Sequence, residues 1–202
     1  MRYKSSCNII SGGKNLEWAS EIKYLRIFIE KAIEFTSNYT ENRNKFFRAF
    51  NCIFGRVGRS NIAVIVHLMS TQCLPILIYG CEVTRLSKYD CSRIRNSYDF
   101  AFMKIFATTD IAIIRSCQFY LGILPLKYQL DICKYTFLKK TVAYHNEQPN
   151  VVLCQSSNQE LVNNINNIVK KYGLYSDEST KTTIKQISAH FKMHVIDSGY
   201  IV

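Results

Sequence analysis

The apolar positions of this chain change period along its length. Two short apolar runs, Cys7 to Ile10 and Leu16 to Ala19, flank the turn signal Ser11-Gly12-Gly13-Lys14 and predict a hairpin. The run Ile22 to Ile29 keeps no strict period and reads as strand with both faces partly covered. Residues 31–43, with Glu34, Ser37, Asn38, Thr40, Glu41 and Asn42, predict a short helix followed by a polar connector. From Asn44 the period becomes helical. At 3.6 residues per turn, Phe46, Phe47, Phe50, Ile53, Phe54 and Val57 share an arc of about 120°, and Lys45, Arg48 and Arg56 fall on roughly the opposite side. Gly58 breaks this helix, Arg59 follows, and Ser60 or Asn61 caps the next.

That next helix carries Ile62, Val64, Ile65, Val66, Leu68 and Met69, apolar nearly all round, until Pro75 and Gly80 interrupt it. Such a helix belongs in a core or a membrane. The run Ile62 to Val83 is long enough for a span, but His67, Ser70, Thr71, Gln72 and Pro75 interrupt its middle, so a Pro-bent core helix is expected and no membrane. Ser87 and Asp90 begin a helix whose stripe is Ile94, Tyr98, Ala101, Phe102 and Ile105. Asp110 caps a shorter one ending at Gly122. Another opens at Leu124-Pro125 and buries Leu126, Leu130, Cys133, Phe137 and Leu138, with Lys127, Lys134, Lys139 and Lys140 around it. Residues 146–158 read as a loop, Ser157 to Glu160 as a capping box, and Leu161, Ile165, Ile168, Val169 and Tyr172 as the buried side of the helix that follows. A last helix carries Ile184, Ile187 and Phe191, and Ile196 to Val202 is expected to be frayed or strand-like. The fold class is mainly α with a short N-terminal β element.

Charge narrows the function. The chain has 26 Lys and Arg against 15 Asp and Glu, a formal net charge of +11 in 202 residues. An excess of that size favours a polyanionic partner, nucleic acid ahead of an acidic membrane surface. The eight cysteines are scattered with no C-x-x-C pair and no secretory apolar core precedes them, which predicts free thiols in a reducing compartment, nuclear or cytoplasmic and not secreted.

The chemistry-bearing residues do not form a familiar catalytic set. The six aspartates are Asp90, Asp99, Asp110, Asp131, Asp177 and Asp197, none adjacent. His190 and His194 have the spacing of a metal pair but no third ligand nearby, so they are expected to be solvated; His67 is expected to be a hydrogen-bonded core histidine. No Ser/His/Asp order, phosphate loop or zinc knuckle is recognisable. No catalytic or metal residue is assigned.

Two blocks carry a family resemblance: Asn51-Cys52-Ile53-Phe54-Gly55-Arg56-Val57-Gly58, and Cys73-Leu74-Pro75-Ile76-Leu77-Ile78-Tyr79-Gly80 with Glu82. They resemble the segment after the catalytic palm in reverse transcriptases of non-LTR (LINE-type) retrotransposons, where the text is approximately N-x-I-F-G-K-V-G and C-L-P-x-L-L-Y-G-x-E. Glu21 to Leu25 is similar to the E-x-K-Y-L-G strand that closes the palm and positions the primer, with Arg26 standing where the family has glycine. Asn96 to Phe106 and Cys117 to Leu138 also resemble the family, whose text there is roughly N-x-x-x-x-K-x-F and C-Q-x-x-x-G-x-x-P.

The resemblance implies residues 1–30 as the end of a palm-like β element, 31–145 as a helical thumb-like bundle and 146–202 as a C-terminal helical extension. It implies a grip on an RNA–DNA or DNA duplex through its backbone, with Lys45, Arg48, Arg56 and Arg59 as phosphate contacts and Tyr24, Leu25 and Arg26 at the primer-positioning place. It also implies that the aromatic-x-Asp-Asp hairpin and its magnesium ions belong to a palm that this sequence does not include, so the chain is expected to be inactive alone and needs no cofactor of its own. A palm-containing chain is the implied protein partner. The competing expectations are a non-catalytic interaction module and a decayed transposon remnant without activity; Arg26 fits decay.

Overall fold

The computed structural model describes residues 9–11, 13–16, 19–31, 36–147, 155–174 and 179–199. It is mainly helical with a short antiparallel β element at the N-terminus, and it divides into two compact units, Met1–Asn38 and Tyr39–Val202.

In the first unit, β1 (Ile9–Ser11) pairs antiparallel with β2 (Lys14–Leu16), with Ser11 opposite Lys14 and Gly13 between them at φ 76°, which is the hairpin that the sequence predicts. The run read as one strand from Ile22 to Ile29 is instead a hairpin. Strands β3 (Glu21–Tyr24) and β4 (Ile27–Glu30) pair with Tyr24 opposite Ile27, and Leu25 and Arg26 make the loop at φ 45° and 67°. Positive φ at both central residues is the mark of a type I′ turn, which follows the right-handed twist of the strands. Neither residue is of the type that favours this conformation, so period and composition hide the turn. All four residues of β3 are exposed and all four of β4 are half-buried, so the expected partial cover of both faces is corrected for β3. The expected short helix and connector at 31–43 is also corrected: Thr36–Asn38 forms β5, antiparallel to β4, and Glu30 accepts from the Asn38 amide at 2.9 Å. Residues 32–35 lie outside the described residues.

The second unit begins with α1 (Thr40–Val57), four residues before Asn44, where the apolar period alone places its start. Phe46 and Phe50 are fully buried; Phe47, Ile53, Phe54 and Val57 pack at the margin of the same core. Gly58, at φ 62°, stops the helix, with its N–H on the Phe54 carbonyl. Asn61 caps α2 (Ile62–Leu68), its side chain accepting from Val64 N–H. The helix is not covered all round: Ile65, Val66 and Met69 are buried, whereas Ile62 and Val64 are exposed. His67 is exposed as well, not a core histidine. A single π-turn, Met69–Cys73, joins α2 to α3 (Leu74–Ile78), and Leu74 N–H reaches back to the Met69 carbonyl. Pro75 cannot donate to the preceding turn, and widening that turn accommodates its ring.

After α3 the chain turns at Gly80, φ 82°, whose carbonyl accepts from the Tyr39 hydroxyl at 3.2 Å and the Thr84 hydroxyl at 3.0 Å. The start of α1 is thereby tied to the turn after α3. Helix α4 (Lys88–Phe106) begins on Ser87, which accepts from Asp90 N–H, and buries the predicted stripe. Helix α5 (Ile111–Tyr120) is capped by Asp110. Helices α1 to α5, with Leu126 at the start of α6 (Leu126–Glu147), enclose one core.

A second core lies between α6, α7 (Gln155–Lys171) and α8 (Thr180–Asp197), built from Tyr128, Tyr135, Leu138, Ile165, Ile168, Val169, Tyr172, Ile187, Phe191 and Val195. The C-terminal helices therefore share their core with α6. Helix α7 starts at Gln155, so Ser157 lies inside its first turn rather than at its cap. Helix α8 runs to Asp197, past the expected frayed boundary at Ile196. Among the described residues no helix is long and apolar enough to cross a membrane.

Candidate nucleic-acid interface

Helix α1 positions the cations by the geometry that buries its phenylalanines. With Phe46 and Phe50 fixed inward, Arg48 and Arg56 project to solvent on the far side. They are eight residues apart, about 12 Å along the axis at 1.5 Å per residue. Arg48 Nε donates to the Asn44 carbonyl at 3.4 Å, a long contact that leaves the guanidinium outward. Lys45 shares the face but is held by Glu41 one turn earlier, Nζ to Oε1 2.7 Å. Both partners are partly exposed, and such a pair is weak enough for a phosphate to compete for the ammonium.

Arg59 is separate. Its Nε and Nη2 both donate to the carbonyl of Lys104, at 3.3 and 3.2 Å, in the last turn of α4. That carbonyl has no partner within its own helix, so the guanidinium satisfies a helix terminus and meets the negative end of its dipole. Lys104 points back toward α1: Nζ donates to Asn51 Oδ1 at 2.9 Å and sits 4.8 Å from the centroid of the Phe54 ring. Sequence periodicity places Lys104 merely off the apolar stripe and gives no sign of this bridge. Asn51 and Phe54, both in the first block of resemblance, are its two acceptors.

The structure thus brings Lys45, Arg48 and Arg56 together on one face and turns Arg59 to the α1–α4 junction. Tyr24, Leu25 and Arg26 lie in the first unit, at and beside the tip of the β3–β4 hairpin, all exposed.

Four of the six aspartates have structural work. Asp90 is in the α4 cap, Asp99 is paired with Arg115, Asp110 caps α5, and Asp131 holds Lys171 and the Tyr172 hydroxyl. Among the described residues no group of three or more His, Cys, Asp or Glu could hold a metal ion. The described residues do not fit the two-magnesium site of a polymerase. His190 and His194 are both exposed; the His190 ring lies against Tyr172 and Tyr128, with centroids at 5.1 and 6.1 Å. Partial burial, then His194, Lys127 and Lys171, hold its imidazole below the usual histidine range. Cys73 and Cys81 are buried thiols, pushed up by desolvation to about 11 and about 12. They are packing groups rather than nucleophiles.

No protein-family model, no curated protein and no solved structure matches this chain.

Proposed function

We propose that this chain is the thumb and C-terminal extension of a non-LTR retrotransposon reverse transcriptase, and that it holds an RNA–DNA or DNA duplex by its phosphates. On this reading it polymerises nothing by itself, and the magnesium-holding aspartates belong to a separate palm. The observation that carries the reading is the outward face of α1, where Arg48 and Arg56 stand exposed with Lys45 beside them, over a helix fixed by buried phenylalanines. The net charge of +11 supports the same class of partner. The two blocks of resemblance supply the family.

Contacts of this kind are independent of base sequence and release counterions. Fluorescence anisotropy with a labelled RNA–DNA duplex across a salt series tests the reading. With two or three phosphates neutralised, log K falls against log salt with a slope of about −2 to −3. Salt-independent or absent binding counts against it.

A second reading, a non-catalytic interaction module, is favoured by β3. Ile22 and Tyr24 are 60% and 63% exposed on one face of a strand at the edge of its sheet. An exposed apolar edge strand is a template for pairing with another chain. Glutamate at positions 45, 48 and 56 separates the two: duplex binding is lost and protein pairing is kept.

A further inference from the structure

A cavity of about 360 Å³ opens between the loop after α3, helix α4, helix α6 and the end of α7. Cations supplied by four different stretches of the chain converge on it: Arg85, Arg95, Lys127, Lys134 and Lys171. Its one carboxylate, Asp131, is already engaged by Lys171 and by the hydroxyl of Tyr172. Arg85 leans outward to Glu160, at 3.2 Å, with both side chains largely exposed. Arg95, Lys127 and Lys134 are in no ion pair among the described residues. Three positive groups around one concavity repel each other until an anion enters.

Burial first, then His194, hold His190 on α8 below its ordinary range, and Lys127 and Lys171 add to them. The lining also includes the apolar Leu86 and Leu130 and the buried Cys81. A lining of cations and apolar side chains, in a volume at the lower end of small-ligand pockets, suits an anionic head on a compact body with an apolar face.

We infer that this cavity is a binding site for a phosphate monoester of nucleotide size, with Arg95, Lys127 and Lys134 on the phosphate and Leu86 and Leu130 under the body. The phosphate is that of a free nucleotide or the terminal phosphate of a nucleic-acid strand. The site is separate from the α1 face and does not depend on the duplex-holding role.

Titration of the full chain with adenosine monophosphate and with adenosine, read by calorimetry, tests it first. The monophosphate binds and the nucleoside does not. Arg95→Glu with Lys134→Glu lowers affinity for the monophosphate about tenfold or more, the scale of a lost charge-assisted contact. Glutamate at Lys45, Arg48 and Arg56 leaves it unchanged. The milder pair Arg95→Gln and Lys134→Gln, checked for helicity by circular dichroism, guards against misfolding and lowers affinity in the same direction. A single-stranded oligonucleotide with a 5′ phosphate is then compared with its 5′-hydroxyl counterpart. Tighter binding of the phosphorylated strand identifies a strand end as the source; equal binding, with the monophosphate still bound, identifies a free nucleotide. Equal affinity for monophosphate and nucleoside overturns the inference, as does unchanged affinity in a folded Arg95/Lys134 variant.

Discussion

Arg115 and Asp99 meet side by side between α5 and α4, Nη1 to Oδ1 and Nη2 to Oδ2 both at 2.9 Å. The same Nη1 donates to Gln118 Oε1 at 2.7 Å, and Gln118 is completely buried. The Asp99 side chain is only 8% exposed and that of Arg115 16%. A bidentate pair in this setting fixes the angle between two helices, and removing one member leaves a desolvated charge. Arg115→Met is expected to cost about 3 kcal/mol, and the double variant Arg115→Met with Asp99→Leu to recover much of it. Urea denaturation of the three proteins checks this. If the double variant is as unstable as the single one, the pair is not the source of the loss.

Arg59 and Arg56 look alike as letters and differ in place. Arg59 closes the end of α4 on the Lys104 carbonyl, whereas Arg56 stands exposed on α1. Arg59→Ala therefore lowers stability by about 1 kcal/mol, the scale of a lost helix-end hydrogen bond. Arg56→Ala leaves the melting temperature nearly unchanged and weakens duplex binding. Thermal melts and anisotropy on both variants separate the roles; the reverse pattern would show that Arg59, not Arg56, faces the nucleic acid.

The long helices were legible because their stripes are long and regular: Ile94 to Ile105 in α4, and Ile165, Ile168 and Val169 in α7 with Tyr172 just past its end, are buried as the period predicts. The α1 face was legible for the same reason. What was hidden is non-local. The type I′ turn at Leu25-Arg26 has neither Asn nor Gly to announce it, and β5 is too short for a period. Asp99 sits beside Tyr98 on the buried side of α4, where no local rule expects a charge; only its partner on α5 explains it. The cations of the cavity come from a loop and three helices, so no window of sequence contains them. Lys127 and Lys134 read as ordinary decoration of α6.

Thiol reactivity follows burial. Cys52 is exposed on α1, whereas Cys73 and Cys81 are buried and their thiols are pushed up to about 11 and about 12. At about pH 8, where a thiolate is the reacting species, Cys52 is expected to be alkylated in the folded chain and Cys73 and Cys81 only after unfolding. Timed labelling with iodoacetamide and peptide mass mapping reads the order. Early modification of Cys81 would show that the turn at Gly80 opens in the folded chain.

His190 gives the helical unit a mild dependence on acid. Partial burial comes first, and the neighbouring His194, Lys127 and Lys171 add to it, so folding weakens proton binding below the ordinary value of 6.5. Between the folded value and 6.5 the unfolded chain holds more of that proton. The contribution is therefore complete above about pH 6.5 and is lost as pH falls through the folded value. Urea midpoints from about pH 7.5 down to 5 should decline, and His190→Gln should flatten the decline. An unchanged slope in His190→Gln would assign it to other groups.

The hairpin tip offers a test in the first unit. Arg26 is exposed at φ 67°, a left-handed conformation that costs a non-glycine residue about 1 kcal/mol or slightly more. Arg26→Gly should remove that cost and strengthen the pairing of Tyr24 with Ile27. Hydrogen exchange at the β3 and β4 amides is then slower by about fivefold to tenfold, the factor that roughly 1 kcal/mol represents. If the arginine also touches a nucleic-acid backbone, the same variant binds duplex less tightly while its hairpin is firmer. Slower exchange with unchanged affinity would make Arg26 a strained surface residue and remove the hairpin tip from the interface.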